Sequence, residues 1–449
     1  IHKSKGLEFP VVFLCDTGQG FKKRELEQNV LLHLEGGIGS LWLDTGGDET
    51  ALRQYGEDGW TAVDDVCVRM NAAGIGIGFT AGDGVAVSGC RETALNGSFP
   101  LRSVEDDYVV VTALPRSLSS QSDPVTVERS VPDMDYVVES GNRLWGCKYG
   151  IVNGQAVNAI YASKLGDFKN WNCYAGLSTD SYAASRGSDG AFTGAADYLG
   201  NPLFFKENCM ERVYPSASGA HQIVTVQCAG VKSGSSGSLR VVDGKLYYHS
   251  QGGVRVFDGS MPVHVSQALG EMRYHNAVAG ALDGSYYLSA ADENGAWHLL
   301  VLDTRQGLWY REDGVEAVGF APWGGDLYCL TAAGQLLAMK GSGENREGPV
   351  QWLAETGELG LDAPESRYLM RLSLRLLPEA DSTVRAWVSY DEGGSWQPAG
   401  SLCGVGRLRA CTMHVRPRRC RQLRLRLTGQ GGCRIYSLSA VYEKGSDGP

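Results

Sequence analysis

Short apolar stretches, four to ten residues long and bounded by Gly, Asp and Asn, recur along the chain, and no long helical stripe does. That pattern predicts strands joined by tight turns. Between residues 131 and 349 it becomes periodic. The cores are Asn142-Arg143-Leu144-Trp145, Asn201-Pro202-Leu203-Phe204-Phe205, Gly244-Lys245-Leu246-Tyr247-Tyr248, Gly284-Ser285-Tyr286-Tyr287-Leu288 and Gly325-Asp326-Leu327-Tyr328. Their spacings, counted from Leu144, are 59, 43, 40 and 41 residues. Several cores precede a second strand-like run, such as Val254-Arg255-Val256-Phe257 or Trp297 to Leu302. A period near 40–45 residues with several strands per unit predicts a β-propeller, with a solenoid as the competing arrangement.

The flanks read differently. Residues 66–130 predict a small β module, with Val85–Ser88 and Tyr108–Val111 as strands and Asn96-Gly97 as a hairpin turn between them. Residues 350–449 predict a β-sandwich, because Leu372–Leu376, Val384–Val388 and Leu423–Leu427 alternate apolar and polar positions. Residues 46–65 are acidic and Gly-rich and read as a linker, while residues 1–45 read as outside the core fold, with Val11–Leu14 as a short strand. The expectation is therefore an all-β chain: a propeller at 131–349, a small N-terminal module and a C-terminal sandwich. The chain begins at Ile1 and is expected to be a fragment or trimmed product, with no secretory leader in view.

Composition sharpens this picture. Gly makes up 60 of 449 residues, yet hydrophobic residues reach 43% and charged ones only 20%, which excludes collagen-like and disordered classes. No apolar run is long enough for a membrane span. Twelve Cys lack any C-x-x-C and eight His lack close pairing, so neither a metal nor a cofactor is expected. The carboxylate pairs Asp133/Asp135 and Glu355/Glu358 are expected to be solvated surface, and no catalytic residue is assigned.

Charge is uneven. Residues 401–436 hold nine Arg and no Asp, Glu or Lys, inside a chain of net charge −10. Arg418, Arg419, Arg421, Arg424 and Arg426 are the candidate interaction surface, for an acidic partner or DNA phosphates. The competing reading is a solvated strand face. Nearby, Ser389-Tyr390-Asp391-Glu392-Gly393-Gly394-Ser395-Trp396 matches the Asp-box S-x-D-x-G-x-[ST]-W. Ser389, Asp391, Gly393 and Trp396 are expected to build a structural hairpin, with Asp391 accepting from turn amides.

Two resemblances follow from longer motifs. His2-Lys3-Ser4-Lys5-Gly6-Leu7-Glu8-Phe9 with Val11–Leu14 resembles the motif V region of AddA/UvrD-like helicases, over about 45 residues. No G-x-x-x-x-G-K-[ST] accompanies it, so a helicase remnant without ATPase activity is expected there. Residues 131–445 resemble a tailed-phage structural protein family of Firmicutes phages. The likeness rests on Val131-Pro132-Asp133-Met134-Asp135-Tyr136, Ile160-Tyr161-Ala162-Ser163-Lys164-Leu165-Gly166-Asp167, Gly187-Ser188-Asp189-Gly190 and Leu203-Phe204-Phe205-Lys206-Glu207. It implies a non-enzymatic virion protein, made in the bacterial host cytoplasm and placed at the head–tail connector or tail. Portal, connector or tail subunits would be its partners, with contact to packaged DNA, no membrane, and membership of an oligomeric ring. The alternative reading is a carbohydrate-active or glycan-binding propeller protein of a phage tail.

Overall fold

The computed structural model describes residues 31–33, 37–39, 53–56, 60–64, 67–71 and 74–444, apart from 77–78, 114–119, 122–124, 153, 169, 175, 271–272, 313, 340–349, 361–366, 391–394, 414, 416–418 and 421. Among the described residues the helical elements are three single 3₁₀ turns. The fold is all-β, a β-propeller with a small N-terminal β module and a C-terminal β-sandwich. Module and propeller share one compact unit, Ile1–Met339, and Lys340–Pro449 form the other.

Five antiparallel sheets of four, four, four, four and three strands follow one another in chain order. Their first strands are Tyr136–Ser140, Phe192–Tyr198, Arg240–Val242, Tyr274–Leu282 and Ala317–Trp323. First strands of neighbouring blades pack together, as Tyr136–Ser140 does on Phe192–Tyr198, so they form the inner side of the array. Each second strand is one of the five aromatic cores read in the sequence.

The turn chemistry explains the repeat. First and second strands join through Gly141-Asn142, Leu199-Gly200, Asp243-Gly244, Asp283-Gly284 and Gly324-Gly325, with φ between 45° and 81° at all ten residues. Two successive positive φ values define the type I′ hairpin turn, whose twist matches the flanking strands. Aromatic residues on either side of these turns then reach across to the next blade. Phe205 meets Tyr248 at 5.0 Å between ring centroids, Tyr198 meets Phe257 at 5.3 Å and Tyr247 meets Tyr286 at 5.5 Å. Such pairs add about 0.5–1.5 kcal/mol each beyond area burial. The buried hydroxyls are satisfied, with Tyr248 donating to the Ala229 carbonyl at 2.8 Å and Tyr286 to that of Ser238 at 2.7 Å.

The N-terminal module is one eight-stranded antiparallel sheet bent around a core of Val68, Met70, Val85, Leu101, Val109 and Val127. Two of its strands, Arg53–Gly56 and Trp60–Asp64, fall in the stretch expected to be a linker. They pair with Val125–Arg129 and Cys67–Asn71. The expected Asn96-Gly97 hairpin turn is also replaced. Gly84–Ser88 pairs with Gly97–Glu105 across a longer loop, which Asn96 closes by bonding both the amide and the carbonyl of Cys90 at 2.9 and 2.8 Å. Of residues 1–45, Leu31–His33 and Gly37–Gly39 form a hairpin, and the Val11–Leu14 expectation lies outside the described residues.

The module is tied to the first blade by polar contacts. Arg129, paired within the module to Asp83 at 3.4 Å, reaches across to Asp167 at 3.7 Å, and Asn172 donates to the Ser130 carbonyl at 2.6 Å. In the C-terminal unit two antiparallel sheets enclose Leu372, Leu374, Val384, Val388, Leu423 and Leu425.

Candidate functional site

A groove of about 380 Å³ runs along the outer part of the first blade. It lies over the paired strands Gln155–Ala162 and Tyr182–Ser185, where Ala159 faces Ser185 and Tyr161 faces Ala183. Period-two alternation divides the labour. Ile160 and Ala162 turn into the core with Trp145 and Cys147, which leaves Val157, Ala159, Tyr161, Ala183 and Ser185 on the groove side. Small side chains beside one Tyr make that face concave.

Tyr174 stands near Tyr161. The residue is 59% exposed, and its hydroxyl, bonded to the Trp171 carbonyl at 3.3 Å, is pushed above its usual range by burial and by Tyr161. Burial also raises the Tyr161 hydroxyl, with Asp133 adding to the effect and Lys148 opposing it. Lys148 is itself clamped by Asp133 at 2.9 Å and Asp135 at 2.8 Å. That carboxylate pair is thus committed to a lysine.

The far wall is fixed by a buried polar network. Arg186 donates through Nε and Nη2 to Glu211 Oε2 at 3.1 and 2.8 Å, and Thr225 bonds the same carboxylate. Glu211 is fully buried, so this pair anchors the edge of the first blade to the second. Asn158 accepts from Lys206 Nζ at 3.1 Å and donates to the Ser188 carbonyl at 2.6 Å. Lys206 lies over the Phe192 ring at 4.5 Å, and burial lowers its pKa. These contacts set the orientation of Asn158 and Arg186 before any ligand arrives.

The arginine strip and the Asp-box lie elsewhere. Arg424 and Arg426 project from the strand Gln422–Gln430, opposite buried Leu423, Leu425 and Leu427. Arg426 holds Glu355 Oε2 at 2.8 Å and stacks 4.0 Å over Trp396, and Arg424 reaches Glu355 Oε1 at 3.5 Å. The strip therefore does meet a carboxylate, supplied by a strand about 70 residues earlier in the chain. Arg419 lies in a short strand paired to Tyr368, while Arg418 and Arg421 fall outside the described residues. Ser389 is fully buried one residue before the end of the strand Thr383–Tyr390, Trp396 directly precedes the return strand Gln397–Cys403, and Asp391 and Gly393 lie outside the described residues.

Sequence reasoning missed a similar turn at Asp292-Glu293-Asn294-Gly295-Ala296-Trp297. There Asp292 Oδ1 accepts from the Asn294 and Ala296 amides, each at 2.9 Å, and Oδ2 meets His298 at 3.0 Å. The D-x-x-G-x-W spacing was its signal. The groove itself had none, since alanines carry no chemistry. Among the described residues no group of His, Cys, Asp and Glu could hold a metal ion.

No protein-family model matches the chain. A stretch of 46 residues is 54% identical to an ATP-dependent helicase/nuclease of Clostridium beijerinckii. It covers 10% of this chain and only 4% of that protein, so the whole protein's activity does not come with it. Among solved structures, the chain is similar to an exo-β-1,3-galactanase from Phanerochaete chrysosporium, with TM-score 0.26 and 9% identity over 67% of this chain and 95% of that one. It is also similar to the endosialidase of phage phi92, with TM-score 0.22 and 10% identity over 62% of this chain and 46% of that one. The expectation that the chain is not an enzyme is corrected by these neighbours, which are enzymes acting on carbohydrate. Alignments this loose establish no activity for this chain.

Proposed function

We propose that the chain is a carbohydrate-active propeller protein that recognises an oligosaccharide in the groove on its first blade. In the setting implied by the phage-family resemblance, it would belong to the tail of a tailed phage. The observation carrying this reading is the groove itself. Tyr161 offers an apolar face for the C–H face of a sugar ring and a hydroxyl at its rim. Ser185 adds a second hydroxyl, and the alanine floor leaves room for a ring to lie flat. The volume falls within the about 300–1,000 Å³ typical of small-ligand sites. Asn158 and Arg186 act as positioning residues, because their own polar atoms are already engaged across the blade boundary.

The test is a panel of bacterial surface oligosaccharides, read both for binding by calorimetry and for chain cleavage by product analysis. Tyr161→Ala is expected to weaken binding by about tenfold or more, the loss of one stacking contact. Ser185→Ala should cost about threefold to tenfold. A glycan bound or cleaved equally well by both variants would remove the groove from the mechanism.

A further inference from the structure

The two compact units carry opposite charge. Residues 340–449 hold 16 Lys and Arg against 12 Asp and Glu, a net +4, while residues 1–339 hold the remaining 25 against 39, a net −14. Three of these arginines share one sheet face, while Arg424 and Arg426 sit in the other sheet against Glu355. Along the strand Arg367–Pro378, Leu372, Leu374 and Leu376 are buried, so Arg371, Ser373 and Arg375 share the outer side. Arg371 and Arg375 are exposed, and about 13 Å separates positions four apart on a strand. Register places Val441, Ser439 and Ser437 beside them, and Arg434 opposite Leu377. Arg371, Arg375 and Arg434 form no ion pair with another described residue. Exposed Val441, at 42%, puts apolar area within the same face.

A complementary surface exists in the acidic unit. The antiparallel blades send their first-to-second and third-to-fourth turns to one end. Asp197, Asp243, Asp258, Asp283 and Asp303 all sit at or beside those turns, and of these Asp243 is already paired with Arg305 at 3.2 Å. Leu199 is at that end too, 75% exposed. A long polyanion approaching the basic face would be opposed by the net −10 of the chain. A second copy would not, since it brings acid and base on separate units.

We propose that the Arg371–Arg375–Arg434 face docks on the aspartate-bearing end of the propeller of a second copy, head to tail. Such a contact is heterologous, so it closes into a ring or propagates. It is driven by charge and weakens as salt rises.

The experiment is sedimentation velocity on the full chain at about 20 mM and about 0.5 M salt. The native chain should sediment as dimers or larger at low salt and as monomers at high salt. Arg371→Glu/Arg375→Glu and, separately, Asp197→Lys/Asp258→Lys should each be monomeric at low salt, with melting temperatures near the native value. Mixing the two variants should restore association, because each then presents the other's complement. A native monomer at low salt would overturn the proposal, as would variants that associate like the native chain or a mixture that stays monomeric. A monomer that binds heparin or duplex DNA through Arg371 and Arg375 would overturn it in favour of that polyanion.

Discussion

Leu199 is the residue that breaks the local rule. The other first-to-second turns use Gly, Asn or Asp at positive φ, where a β-carbon costs least, yet Leu199 sits there at φ 53° and points to solvent. Leu199→Asn is therefore expected to raise stability by about 1 kcal/mol in chemical denaturation. A loss of stability would show that the Leu side chain packs usefully. His249 offers a pH test. It is buried with Nδ1 3.2 Å from Ser235 Oγ, and burial, helped by the charges of Lys232 and His275, lowers its pKa to about 4. The folded pKa lies below the unfolded one, so this contribution is complete above about pH 6.5 and is lost as pH falls toward 4. About 3 kcal/mol is at stake. His249→Gln should flatten that part of the pH–stability curve, and an unchanged slope would assign it to carboxylates instead.

At the scale of elements, blade contact depends on missing side chains as much as on aromatic ones. A β-carbon on Gly280, in the first strand of the fourth blade, would lie 2.6 Å from Phe320 Cβ in the fifth. Gly280→Ala should cost about 1–3 kcal/mol, measured by urea unfolding. A neutral result would mean that the two blades can separate slightly without penalty. The module makes a second prediction. A chain starting near residue 50 should melt within a few degrees of the native protein, whereas one starting at residue 66 loses Arg53–Gly56 and Trp60–Asp64 and should melt about 5 °C or more lower. Equal melting temperatures would make those strands dispensable.

These elements also show what could be read in advance. The blades were legible because the I′ turns and the aromatic cores repeat in sequence as in space. The strands at 53–64 were not, because an acidic, Gly-rich composition hides both the edge pairing of Arg53–Gly56 with distant Val125–Arg129 and the local pairing of Trp60–Asp64 with Cys67–Asn71. Glu355 was invisible as the partner of Arg424 and Arg426 for the same reason, since sheet register joins positions about 70 residues apart.

On the scale of the whole molecule, the propeller supplies a rigid frame and the first blade carries a shallow groove on it. That groove was illegible in the sequence because its defining feature is an absence of bulk at Ala159, Ala183 and Ser185. Only the pairing of two strands turns that absence into a concave surface. The most direct test of carbohydrate recognition is amide hydrogen exchange of the full chain with and without a bound oligosaccharide from the panel. Recognition in the groove predicts slowed exchange confined to residues 156–161 and 183–186, and loss of that protection in Tyr161→Ala. Protection on the C-terminal unit or along the inner strands, with the groove unchanged, would contradict it.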